Sequence, residues 1–175
     1  MQDQFTIKDF NDFEVGELYA IMRHIYLTSE FMSDTFDEKF PTIGYFKNYF
    51  SGVLKRKGSF LQVAMFEQKP VGYIVLETNA ARRLSHTSWL NMGVVEIFRG
   101  KGIGQLLVES ALKKARNEKN IEIIYLMVRS DHVGAVRLYK KAGFEQIAIL
   151  EKDTKIGDEY FDGILMRKFI SPNMK

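Results

Sequence analysis

The segment Val94-Val95-Glu96-Ile97-Phe98-Arg99-Gly100-Lys101-Gly102-Ile103-Gly104 runs from a strand-like stretch into an amphipathic helical pattern. Its glycines let the backbone approach a ligand closely and take conformations closed to other residues. The first N–H groups of a helix have no partner within the helix, and the helix dipole is positive at that end. Together these features make an anion site suited to a pyrophosphate. Arg99 and Lys101 add positive charge beside it.

Three phosphate-loop patterns compete for this segment. A Walker A loop needs Gly-x4-Gly-Lys-Ser/Thr, which is absent. A Rossmann fingerprint needs Gly-x-Gly-x-x-Gly. Here Gly100, Gly102 and Gly104 alternate, Gln105 takes the sixth place, and Glu122 falls by coincidence of spacing where a ribose-binding acid would sit. The third pattern, Arg/Gln-x-x-Gly-x-Gly/Ala, is matched in full by Arg99-Gly-Lys-Gly102-Ile-Gly104. About thirty residues on lies Ala135-x-x-Leu138-Tyr139-Lys140-Lys141-x-Gly143-Phe144. A tyrosine on a core-facing helix is ordinarily part of the core. Its place after the glycine-rich helix and an apolar strand marks Tyr139 as a candidate functional residue.

With both blocks present, the chain resembles the GNAT (GCN5-related N-acetyltransferase) superfamily from Phe60 to Phe169. In such proteins the strand ending at Val94 and Val95 splays from the next, Ile121 to Val128. The pantetheine arm of acetyl-coenzyme A lies in the gap. The resemblance implies that Arg99, Gly100, Lys101, Gly102, Ile103 and Gly104 cradle the pyrophosphate. A backbone N–H near Val95 would polarise the thioester carbonyl. Tyr139 would protonate the departing thiolate, since a phenol with pKa near 10 remains protonated at neutral pH. The implied reaction is direct attack of a primary amine on acetyl-coenzyme A, with no metal.

Two positions depart from the family pattern. His132 stands where relatives often carry a pantetheine-binding Asn, and imidazole can still donate or accept there. Relatives often carry a Glu base on the strand before the loop. Between His86 and Val95 this chain has no acid, and Trp89, Leu90 and Asn91 fill the places. Glu30, Glu77, His86 or a water chain remain as the base. Glu30, in Thr28-Ser29-Glu30-Phe31-Met32, follows the first helix, where relatives often build the acceptor pocket.

The elements that must position these residues are legible from periodicity. A strand at Phe5–Ile7 precedes helices at Glu14–Thr28 and Ile43–Leu54. Strands at Ser59–Glu67 and Val71–Thr78 form a hairpin turning at Gln68-Lys69-Pro70, and another strand spans His86–Val95. Gly102–Lys119 is the clearest helix, with Asn120 as its stop. The run Ile121–Val128 reads as a strand buried on both faces. A helix at Val133–Ala142 ends at Gly143, and strands at Phe144–Glu151 and Tyr160–Phe169 turn near Gly157-Asp158. The order β-α-α-β-β-β-α-β-α-β-β predicts an α/β (α+β) fold: a mixed, mostly antiparallel sheet with helices on both faces. The closing hairpin is similar to that of relatives near the ribosomal-protein and polyamine acetyltransferases, where it serves folding or a homodimer contact.

The 175 residues suit one domain over 1–175, and 46% hydrophobic residues supply a core. No cysteine is present, which excludes disulfides, thiolate metal sites and a Cys nucleophile. The opening MQDQFTIKDF has no basic or apolar signal region, and no apolar run reaches the roughly 18 residues of a membrane span. A cytoplasmic protein without membrane contact is expected. Charge is uneven. Residues 1–40 hold nine acids (Asp3, Asp9, Asp12, Glu14, Glu17, Glu30, Asp34, Asp37, Glu38) against three bases, whereas the whole chain carries +3. This reads either as a solvated helix face or as a wall drawing a cationic amine.

Two rival functions stand beside the enzyme. A coenzyme-A-binding module without turnover fits the missing strand acid but leaves Tyr139 unused. Nucleic-acid binding is suggested only by Lys55-Arg56-Lys57 and Arg82-Arg83, short runs that read as loop charges, so no nucleic-acid partner is expected.

Overall fold

A computed structural model describes residues 5–10, 14–118 and 120–170. Asp3, Asp12, Lys119 and Pro172 lie outside them. Seven strands, β1 (Phe5–Asp9), β2 (Phe60–Phe66), β3 (Lys69–Thr78), β4 (Thr87–Val94), β5 (Ile123–Arg129), β6 (Glu145–Ile156) and β7 (Glu159–Phe169), form one sheet. Their order is β1-β2-β3-β4-β5-β7-β6, and every pair is antiparallel except β4–β5. The mixed, mostly antiparallel fold with helices on both faces is therefore observed.

Helices α1 (Val15–Leu27), α2 (Phe36–Lys39) and α3 (Ile43–Leu54) cover one face. Leu18, Met22, Ile25 and Tyr26 of α1 are buried at helical spacing against β3 and β4. Gly93 of β4 lets α1 settle there, since a Cβ on it would lie 2.5 Å from the Ile25 side chain. Helices α4 (Ile103–Asn117) and α5 (Val133–Lys141) cover the other face. Ile103, Leu107, Val108, Ala111, Leu112 and Ala115 of α4 are all buried, each large one contributing about 1.5–3 kcal/mol.

Four sequence expectations change. Helix α2 was not foreseen; Thr35 and Glu38 close a capping box around it. The first hairpin turns at Glu67 and Gln68, with φ 46° and 63°, so that Pro70 joins β3 opposite Met65. Strand β6 runs on to Ile156 through a bulge. Finally, β5 is not buried on both faces. Ile124, Leu126 and Val128 face α4 and α5, while Tyr125 and Met127 look out on the side that α1 leaves uncovered. Asn120 is a tie as well as a stop, donating to the Ser85 carbonyl at 2.9 Å. No helix among the described residues is long and apolar enough to cross a membrane.

Candidate active site

Strand β4 pairs with β3 along its length, and β5 does so with β7, but the two halves of the sheet meet only at Thr87, Ser88 and Trp89 of β4. From Leu90 onward β4 and β5 part, and a cleft of about 560 Å³ opens between them. It reaches the α4 N-terminus, α5, the α1–α2 connection and β6.

Backbone groups along β4 alternate between the β3 side and the gap. The Val95 N–H donates to the Val71 carbonyl at 2.9 Å, so Val95, Gly93 and Asn91 face β3. Val94 and Met92 therefore present their N–H and C=O groups to the gap. This corrects the expectation for Val95: its N–H is engaged and its side chain is 7% exposed, leaving Val94 as the gap-facing donor. The Val94 carbonyl accepts from Arg99 Nε at 3.0 Å, and the same guanidinium reaches the Thr28 carbonyl at 3.3 Å. Arg99 thus ties the end of α1 to the end of β4.

The phosphate-binding end is made of backbone. Gly100 and Gly102 hold φ of 74° and 86°, in the left-handed region that disfavours any side chain. Gly102 caps α4 without a side-chain oxygen, and the N–H groups of residues 101–105 have no acceptor among the described residues. Gly104 keeps α4 close to its neighbours, as a Cβ there would meet Leu138 at 3.2 Å. Ile103 contributes its N–H while its side chain sits in the core at 1% exposure. Lys101 folds over the Phe98 ring, 5.2 Å from its centre. These donors fit an anionic diphosphate.

Tyr139 lines the cleft from α5, 7% exposed, with its ring edge-on to Phe144. Burial pushes its phenol well above the ordinary value of 10, so the proton stays on at neutral pH. His132 caps α5, its ring accepting the Ala135 N–H at 3.5 Å and stacking on Phe31 at 3.9 Å. Burial, then the nearby Arg99 charge, holds its pKa below 6.5.

The proposed bases separate. Glu77 accepts from Tyr49 and Arg56, each at 2.7 Å, on the α3 side and away from the cleft. His86 lies at the closed end of β4, where its carbonyl accepts from Glu122. Glu30 is exposed beside the cleft, and its carbonyl accepts from Arg129. Four of the seven acids among the described residues of the N-terminal region are paired: Asp9 with Lys114, Asp34 with Lys39, Asp37 with Arg23, and Glu38 with Thr35. Sequence reasoning missed Arg129. It is 7% exposed, packed between Phe161 and Phe31, bonded to Asp131, and holds the Asp131 carboxyl below the usual range. No cluster of His, Cys, Asp or Glu among the described residues could hold a metal ion.

The model of the acetyltransferase (GNAT) family matches residues 19–144, well over half of the chain. The chain belongs to the GNAT acetyltransferase family. An N-alpha-acetyltransferase of Saccharolobus solfataricus is 31% identical over 113 residues, covering 59% of this chain and 66% of the relative. The chain thus spans just under two thirds of that relative's length. A GNAT acetyltransferase of Streptococcus pneumoniae has the same fold, with TM-score 0.87 and 23% identity over 95% of this chain and 99% of that one. A Salmonella typhimurium acetyltransferase solved with its cofactor acetyl-CoA gives TM-score 0.77 and 15% identity, covering 98% and 97%.

Proposed function

We propose that residues 1–175 act as one domain that moves the acetyl group of acetyl-coenzyme A directly to a primary amine, with Tyr139 as general acid. The observation that carries this reading is the meeting of three features on one cleft: free N–H groups at the α4 N-terminus, the gap beside Val94, and the buried phenol of Tyr139. Arg99 to Gly104 hold the diphosphate. Val94 and Met92 hydrogen-bond the pantetheine arm, and a gap-facing N–H steadies negative charge growing on the thioester oxygen. The amine lone pair forms the C–N bond, the C–S bond breaks, and sulfur takes the Tyr139 proton. His132 keeps a ring nitrogen for the arm.

A primary amine is supported by the relative named as an N-alpha-acetyltransferase. A cationic acceptor is supported less by the acidic N-terminal region, since Asp34, Asp37 and Glu38 are paired, than by Glu30 at the cleft's edge. The test is free thiol release from acetyl-coenzyme A across polyamines, aminoglycosides, amino acids and peptide N-termini. Turnover with at least one amine is expected. Tight cofactor binding without turnover on any of them would favour the second reading, a non-catalytic acyl-coenzyme-A module, which the acid-free strand β4 supports.

A further inference from the structure

The two faces of the sheet divide the cleft. Leu90, Leu126, Val128 and Tyr139 belong to the α4–α5 side. By strand alternation Asn91, Met127, Arg129 and Gly163 point to the α1 side. An acid on this second side could meet an amine arriving opposite Tyr139. Strand β4 offers none, and Asp34 there is paired with Lys39.

The bulge in β6 brings one. Leu150 pairs with Gly163 and Thr154 with Phe161, so β6 holds two extra residues between those pairs. Lys152, at φ 55°, turns the chain, and its N–H is held by Asp162 Oδ1 at 2.9 Å. Asp153 is thereby swung over Gly163 and into the lining of the cleft. Gly163 makes the room: a Cβ there would lie 2.6 Å from Asp153 Oδ2. The Asp153 carboxylate makes no hydrogen bond or ion pair among the described residues, whereas Asp131, Asp162 and Asp34 each have one.

We propose that Asp153, delivered by the β6 bulge, is the carboxylate that receives the acceptor ammonium and takes a proton from it. This rests on the acetyltransferase reading above. The ammonium gives one proton to Asp153, directly or through a water. The neutral amine forms the C–N bond, and the C–S pair leaves on sulfur with the Tyr139 proton. The remaining excess proton on nitrogen passes through solvent to the Tyr139 phenolate. Asp153 later releases its proton to water, so the balance is one amide, one thiol and one proton. Other charged or titratable groups lining the cleft are Arg129 at the end of β5, Asp34 from the α1–α2 connection, Arg99 from the loop, His132 at the α5 N-cap and Tyr139 within α5; beside it lie Asp131 bonded to Arg129, Lys39 of α2 paired with Asp34, and the exposed Glu30. On the hairpin itself, Lys152 leans on the Tyr160 ring and Asp162 holds the bulge.

The test compares Asp153→Asn, Gly163→Ala and a hairpin-tip control, Asp158→Asn, all in the full chain. Wild-type thiol release over the amine panel first decides the acetyltransferase reading. For a turned-over amine, kcat/KM of Asp153→Asn should fall about 10²–10⁴-fold near neutral pH. The deficit should narrow toward alkaline pH as free amine accumulates. Gly163→Ala, which displaces the carboxylate without removing it, should fall in the same direction. Acetyl-coenzyme A affinity and Asp158→Asn turnover should hold. An Asp153→Asn protein with wild-type kcat/KM and pH profile overturns the proposal and leaves the acetyltransferase reading standing. Without turnover, calorimetric binding of the same amines to coenzyme-A-loaded protein decides it. Weaker binding to Asp153→Asn then supports its receipt of the ammonium and overturns its part in proton transfer; equal binding, or none to the wild type, overturns both.

Discussion

The proposed cofactor end of the cleft and its proposed acceptor end are built from different materials. At the cofactor end the chemistry lies in backbone groups: the N–H donors of residues 101–105, the positive φ of Gly100 and Gly102, and the gap-facing edge of β4. At the acceptor end it lies in side chains from separate segments: Phe31 and Met32 after α1, Arg129 on β5, and Asp153 in β6. A backbone site accepts many sequences so long as the glycines keep their conformations. A side-chain site changes with each residue. One end can therefore stay constant in a family while the other varies its amine.

Substitutions at each end test that contrast. After Asp153→Asn at the acceptor end, the largest effect is expected where the two ends meet. Tyr139→Phe keeps the ring against Phe144 and removes only the hydroxyl, and kcat should drop about 10²-fold with cofactor affinity unchanged. A chemistry-limited assay showing an unchanged rate would remove Tyr139 from the mechanism.

At the backbone end, Gly102→Val forces a β-branched residue to φ 86°. Strain of about 1–3 kcal/mol corresponds to roughly 10–100-fold weaker binding of acetyl-coenzyme A. Arg99→Ala should weaken it less, because the helix N–H groups remain. Calorimetry reversing that order would mean that side chains, not backbone, make the phosphate site.

His132 lies between the ends. Its pKa sits below the ordinary 6.5, so the folded protein binds fewer protons there than the unfolded chain. Its contribution to stability is full above about pH 6.5 and declines as pH falls below it. His132→Asn keeps a capping side chain and should flatten this part of the Tm–pH curve. An unaltered curve would place the pH dependence elsewhere.

The smallest effect is expected at the rim. Glu30→Gln should raise the acceptor KM by no more than about fivefold with kcat held, as suits an exposed charge worth at most about 1 kcal/mol. The rise should fade with added salt. A fall in kcat would instead make Glu30 the base and displace Asp153 from that part.

The sequence by itself pointed to the proposed cofactor end, because every requirement there is local. A strand, a glycine-rich turn and a helix start are consecutive, so Arg99 to Gly104 could be read as an anion site before any fold was known. The periodicity of α1, α3, α4 and α5 and the order of the strands were legible for the same reason. Helix α2 was also legible in principle, through Thr35-x-x-Glu38, but at four residues it has no periodicity to announce it. Other features only the tertiary structure decided. Whether the Val95 N–H or a Val94 group faces the gap depends on pairing with Val71, far away in the chain. That one face of β5 opens on a cleft depends on where β4 and β5 stop pairing. The position of Asp153 depends on two extra residues in β6 and on a missing Cβ across the ladder at Gly163. Strand register and bulges arise from pairings between distant segments, and a shift of one residue turns a side chain to the other face of the sheet. No local pattern encodes that choice.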